Sequence, residues 1–141
     1  MNTKHMFESA KECCKKSDYE GSTNIKIGCV VAYKGTILAK GWNTNKTHTI
    51  QHHFNQYRFN NKVTNRYLPD KCHAEINALR KIKYLDIDFS NVHVYVYREY
   101  KDGASAMARP CAACMRMIKS MGIKYIHYTT ADGMAHEVLE K

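Results

Sequence analysis

No stretch of the sequence approaches the ~20 consecutive apolar residues that a membrane-spanning helix requires. The opening residues, Met1-Asn2-Thr3-Lys4-His5-Met6-Phe7-Glu8, lack the apolar run of a secretory signal peptide. These absences set aside a membrane protein and lead us to expect a cytoplasmic chain. Internal repeats and low-complexity segments are missing too. Acidic residues are scarce: 13 Asp and Glu stand against 22 Lys and Arg, for a formal net charge of +9 and a pI near 9.3. That balance fits a lysine-rich surface, or attraction to phosphorylated substrates and polyanions, and charge alone does not separate the two. Without export to an oxidising compartment, the six cysteines do not read as a disulfide framework.

What is present suits a globular domain. Hydrophobic residues make up 44% and charged residues 25% of 141 residues, ordinary proportions for one compact domain spanning 1–141. Met6, Phe7, Ala10, Cys13, Cys14 and Ser17 recur at helical spacing and predict an amphipathic helix over about 3–18. Residues 25–33 and 36–42 are apolar runs joined at Lys34-Gly35, the pattern of an antiparallel hairpin. A helix is expected over about 72–84, with Ala74, Ala78, Leu79, Ile82 and Leu85 on its buried face. A strand follows at 92–97, a helix opening at Pro110 and closing at Gly122, and a strand at 123–129. The last residues are too few for a crossover helix and another parallel strand, so 134–139 reads as a short antiparallel strand or a terminal helical turn. Cys13, Cys14, Cys29 and Cys72 fall on faces that read as buried, where a reduced thiol acts as a small hydrophobe.

The stretch from Thr44 to Lys71 has no periodicity. It carries Lys46, Arg58, Lys62, Arg66 and Lys71 against Asp70 alone, interleaved with His48, His52, His53, Phe54, Tyr57, Phe59 and Tyr67. Gln51 to Asn61 fits a short helix. Cations beside aromatics can follow a phosphate backbone and stack bases; an ordered cover whose aromatics belong to the core fits the same pattern. We single out Lys46, His48, Arg58 and Arg66 as candidate phosphate or nucleic-acid contacts.

Two short motifs carry the chemistry. His73-Ala74-Glu75 offers an imidazole and a carboxylate at one helix start, and Pro110-Cys111-Ala112-Ala113-Cys114 offers two thiolates at another. Three N/S ligands leave zinc a fourth position for water, the mark of a catalytic site. A closed structural site with Cys72 as fourth ligand is the alternative, although Cys72 would have to reach the same ion from the position next to His73.

The pair of motifs resembles the H-x-E and P-C-x-x-C signature of the zinc-dependent cytidine and deoxycytidylate deaminase superfamily. The resemblance implies an α/β, three-layer cytidine-deaminase-like fold: a mixed sheet of four to five strands, with an antiparallel N-terminal hairpin and then parallel strands, and helices on both faces. It implies Zn2+ held by His73, Cys111 and Cys114, with Glu75 as the catalytic proton shuttle for water that attacks C4 of cytosine. It places Asn43 of Gly41-Trp42-Asn43 against the substrate, with Ala74, Arg109, Pro110 and Tyr128 also lining the substrate site. Arg109 stands where many members carry Ser, Thr or Glu, and is expected over a substrate phosphate. Asn77 is similar to the deoxycytidylate deaminases, and the run His73 to Arg80 to the tRNA adenosine deaminases. The short ending is closer to free-nucleoside deaminases and to some phage and bacterial single-strand deaminases. Many members are homo-oligomers, an option that extends to this chain.

The expected function is therefore hydrolytic conversion of cytosine to uracil in a nucleoside or deoxycytidylate-like nucleotide. The alternatives are a cytosine deaminase acting on single-stranded DNA or RNA, an adenine deaminase, or a non-catalytic zinc-stabilised nucleic-acid-binding domain. The expected partners are accordingly a cytosine-containing nucleotide or a single-stranded nucleic acid, with no membrane.

Overall fold

Alternation within β1 (Lys26–Tyr33) sorts its side chains onto two faces of a sheet, and each face meets different helices. Cys29 and Val31 enter one apolar cluster, whereas Val30 and Ala32 enter another with Met6, Phe7, Ala10 and Cys13. The computed structural model describes residues 3–17, 26–44, 73–99 and 106–139. In chain order these form α1 (Thr3–Cys14), β1, β2 (Thr36–Trp42), α2 (Ala74–Leu79), a 3-10 turn (Phe89–Asn91), β3 (Val92–Glu99), α3 (Ala112–Ser120), β4 (Tyr125–Thr130) and β5 (Gly133–Val138). The expected helix over 51–61, Cys72 and most of the basic stretch lie outside the described residues.

The five strands form one mixed sheet in the order β2-β1-β3-β4-β5. β1 pairs antiparallel with both β2 and β3, β3 runs parallel to β4, and β5 returns antiparallel beside β4. This is the expected α/β architecture with helices on both faces, α1 on one and α2 with α3 on the other. Among the described strands the parallel part is the single pair β3–β4, because β5 turns straight back at Ala131-Asp132. Of the two endings allowed by the sequence, the antiparallel strand is the one adopted.

Helix ends differ from the expected bounds for local reasons. α1 stops at Cys14, and Ser17 beyond it turns its hydroxyl to the Asn43 carbonyl oxygen (2.8 Å) and side-chain oxygen (2.6 Å). α2 covers 74–79 rather than 72–84. Past Arg80 the bonds run to the third residue back, Lys81 N–H to Ala78 O (3.2 Å) and Ile82 N–H to Leu79 O (3.1 Å), which tightens the chain while keeping Ile82 in the core. Pro110 sits before the helix cap rather than within the first turn, since Cys111 is the N-cap of α3. Gly122, at φ 85°, closes α3 as expected, with Ile123 N–H reaching Ile118 O at 3.2 Å.

Two glycines let helices lie against the sheet backbone. A Cβ at Gly28 would stand 2.0 Å from the carbonyl oxygen of Ala10 in α1, and one at Gly41 would stand 2.4 Å from that of Ala74 and 2.5 Å from the Ala78 nitrogen in α2. The obstacles are backbone atoms, so neither can rotate away. Gly41→Ala should therefore push α2 off the sheet and cost ~1–3 kcal/mol, seen as a lower denaturation midpoint, with weaker zinc retention because His73 begins that helix. An unchanged midpoint would show that the close approach is unimportant.

Candidate metal centre and active site

Both motif-leading residues occupy the same local position. His73 is the N-cap of α2 and Cys111 that of α3, each with extended backbone (φ −77°, ψ 158° and φ −67°, ψ 172°) and neither using its side chain to cap. Their carbonyls start the helices, accepting from Asn77 N–H (2.9 Å) and Met115 N–H (2.8 Å). Their side chains are thereby directed away from the helix axis and toward each other. Cys114, one turn into α3, faces the same point.

The result is a compact donor set. His73 Nδ1 lies 3.5 Å from Cys111 Sγ and 3.4 Å from Cys114 Sγ, and the three ligand atoms lie within 4.8 Å of one another. Tetrahedral bonds of ~2.3 Å to sulfur and ~2.05 Å to nitrogen place such atoms ~3.6 Å apart, so the spacing fits zinc without rearrangement. Among the described residues, no other group of three or more His, Cys, Asp or Glu meets this criterion.

Glu75 completes the arrangement. It is 4% exposed, and its Oε1 is buried with no hydrogen-bond partner. Burial raises its pKa, with His73 working in the opposite direction. A buried carboxyl oxygen without a hydrogen-bond partner, beside three metal-ligating atoms, marks a place for a polar ligand. The cysteines are strongly coupled: hydrogen bonding from Cys114, with His73 in support, brings the Cys111 thiol down to about 3 despite its burial. Burial, together with the hydrogen bond to Cys111 and the Glu75 charge, pushes the Cys114 thiol well above its ordinary range.

Of the other expected site residues, Asn43 follows β2, Ala74 opens α2, Arg109 and Pro110 lead into α3, and Tyr128 lies in β4. Asn43, just past β2, is 4% exposed; its side-chain oxygen accepts from Ile27 N–H (3.0 Å) as well as Ser17. It does not merely fold onto its own loop, but ties the end of β2 to β1 and to the residues after α1. Ala74 and Pro110 are buried. Asn77 donates to Trp42 O (2.8 Å) and accepts from Arg80 (3.2 Å), joining α2 to the end of β2. Arg109 is held by Glu137, Nε to Oε2 at 2.7 Å and Nη2 to Oε1 at 3.3 Å, and Tyr128 donates to the same Oε2 at 2.7 Å. Lys46, His48, Arg58 and Arg66 lie outside the described residues.

Sequence reasoning missed Glu137, Arg98 and Thr129. Thr129 Oγ1 donates to Ala106 O (2.8 Å) and accepts from Arg98 N–H (3.1 Å), while Arg98 Nη1 donates to Met107 O (3.1 Å). No motif marks them, since each acts by bringing distant segments together.

An α/β sandwich with three N/S ligands at two helix starts and a buried carboxylate beside them defines a zinc-dependent hydrolytic enzyme. The chain belongs to the family described as the cytidine and deoxycytidylate deaminase zinc-binding region, which it matches over residues 1–130. None of the curated proteins matches it. Similar solved structures include a cytidine deaminase from Burkholderia pseudomallei (16% identity, TM-score 0.65, covering 98% of this chain and 93% of that one). A dCMP deaminase from the cyanophage S-TIM5 in apo form is 22% identical (TM-score 0.60, covering 92% and 86%). A cytidine deaminase from Mycobacterium leprae is 15% identical (TM-score 0.58, covering 96% and 93%). At these identities the structural likeness speaks for the fold; the family match speaks for the deaminase class and for zinc.

The raised Glu75 pKa has a consequence for the metal-free chain. A carboxyl whose folded pKa exceeds its unfolded value favours the native state fully only below the unfolded value, and that contribution is lost as pH rises through the folded one. Glu75→Gln should therefore stabilise chelator-treated protein at neutral pH, with an advantage that shrinks toward zero below about pH 4.5. Urea denaturation across pH 4–8 measures it; an advantage that fails to grow with pH would contradict the assignment.

Proposed function

We propose that the chain deaminates the cytosine of a free nucleoside or nucleotide, with deoxycytidylate as the type substrate. The observation that carries this reading is the buried Glu75 Oε1, left without a partner beside His73, Cys111 and Cys114. Zinc held by those three residues supplies the Lewis acidity that makes hydroxide available at neutral pH. Every remaining step belongs to the chain. Glu75 takes one proton from the attacking water and delivers it to N3 of the pyrimidine as the C4–O bond forms; it then takes the remaining proton from the new C4 hydroxyl and passes it to the exocyclic amine as the C4–N bond breaks and C4 becomes a carbonyl. Water and cytosine become uracil and ammonia. Burial keeps the Glu75 carboxyl able to hold a proton between these transfers.

Asn43, Ala74, Pro110 and Tyr128 are the proposed walls of the base and sugar site. Arg109 is the proposed phosphate contact, since Glu137 occupies only two of its five N–H donors. The dCMP deaminase of cyanophage S-TIM5, 23% identical, has a structure with dCMP and dUMP bound, which lends the nucleotide reading support by kinship. The +9 net charge supports the second reading, in which the cytosine belongs to single-stranded DNA or RNA.

Glu75→Ala should keep about one zinc per chain while losing deamination by at least ~100-fold, read as ammonia release beside metal content. The same assay run on cytidine, deoxycytidine, their monophosphates and single-stranded DNA and RNA identifies the substrate. Turnover of single strands that weakens steeply with salt, with none of the monomers, would replace the first reading by the second.

A further inference from the structure

The metal helix α3 is entered through residues 106–110, and that segment is fastened to the sheet before it delivers Cys111. Ala106 N–H bonds to Arg98 O (3.0 Å) and Ala108 N–H to Thr129 O (2.8 Å), which ties the segment to β3 and β4. The next residue, Arg109, is tied to β5, through the two-pronged contact with Glu137. Tyr128 braces the same carboxylate from β4. Pro110 and Cys111 follow directly, so a guanidinium held from β5 sits two residues from a metal ligand.

We propose that Glu137 is a positioning residue for the metal centre: through Arg109 it fixes the chain that presents Cys111, and so slows zinc release. The proposal rests on the zinc reading of His73, Cys111 and Cys114. The pairing geometry favours it. A bidentate guanidinium–carboxylate contact fixes direction as well as distance, and Tyr128 stops the carboxylate from rotating. Ala135 precedes Glu137 on the same side of β5, while Met134, His136 and Val138 point to the opposite face, and of those Met134 and Val138 are markedly exposed. A strand that closes the sheet thus turns one charged side chain toward the metal helix. The contact is half exposed, at 49% for Arg109 and 31% for Glu137, so its effect is a modest one that salt weakens.

The test uses the full zinc-loaded chain, with zinc transfer to a colorimetric chelator as the readout. Wild type that holds no zinc would overturn the underlying zinc reading; the Glu137 proposal is judged on the ratio between variant and wild type. Glu137→Gln should release zinc about threefold to tenfold faster, with Glu137→Asp in between and the gap to wild type narrowing at high salt. Arg109→Gln should have the same effect from the other end, and the double variant should be no worse than either single one, as expected if Glu137 works through Arg109. Equal release by Glu137→Gln and wild type would overturn the proposal, and so would additive losses in the double variant. Should Glu137→Gln fail to fold, the Arg109→Gln and Glu137→Asp pair decides the matter on the same readout.

Discussion

Two helices must begin at the same point in space. His73 and Cys111 are far apart in sequence and lie on helices that follow different strands, yet their ligand atoms approach within 3.5 Å. Nothing local to either motif produces that meeting. The sheet does so, by stacking α2 over β2 at Gly41, where even a methyl group would strike backbone, and by threading the 106–110 segment along the ends of β3 and β4. Placing both ligand-bearing residues at N-caps has a second effect. The positive ends of both helices converge on the His73, Cys111 and Cys114 donor set, so site electrostatics and site geometry have the same origin.

This division explains how much was legible in the sequence. β1 and β3 were readable because a continuous apolar run bounded by turn residues, and a β-branched and aromatic run, are what a sheet covered on both faces demands. The metal ligands and Glu75 were readable because the chemistry needs fixed residue types at fixed short spacings. Helix lengths were less so: Ile82 keeps its helical apolar spacing even though the backbone past Arg80 has tightened into three-residue turns. Glu137, Thr129 and Arg98 were not readable at all. Each is a polar residue in no motif, whose importance comes from partners between nine and 31 positions away, and one sequence carries no trace of such pairings.

The second face of the sheet shows the same limit from another side. His93, Tyr95, Tyr125 and His127 looked like strand residues and nothing more. In the fold they form a stack of rings on β3 and β4, with His93 and Tyr125 centroids 4.4 Å apart and Tyr95 and His127 4.3 Å apart. Parallel pairing puts like positions side by side, so each strand's alternation becomes a row of rings only once register is set. Burial holds the His127 imidazole down at about 4, with His136 and His93 as neighbouring contributors; the ring is therefore neutral at physiological pH and packs as an aromatic.

Reaction and substrate choice consequently draw on different parts of the chain. In the proposed reaction the metal ligands and the proton carrier all come from two short runs at two helix starts, three consecutive residues and five consecutive residues. The substrate contacts we propose come instead from chain ends and connections: Asn43 after β2, Arg109 before α3, Tyr128 near the end of β4. Two of these positions are also tied to the chain that presents Cys111, since Arg109 and Tyr128 meet on the Glu137 carboxylate. In the roles we propose, the Arg109 side chain that would meet a phosphate also steadies the loop presenting Cys111 through Glu137. A change there would then alter metal retention and substrate affinity together.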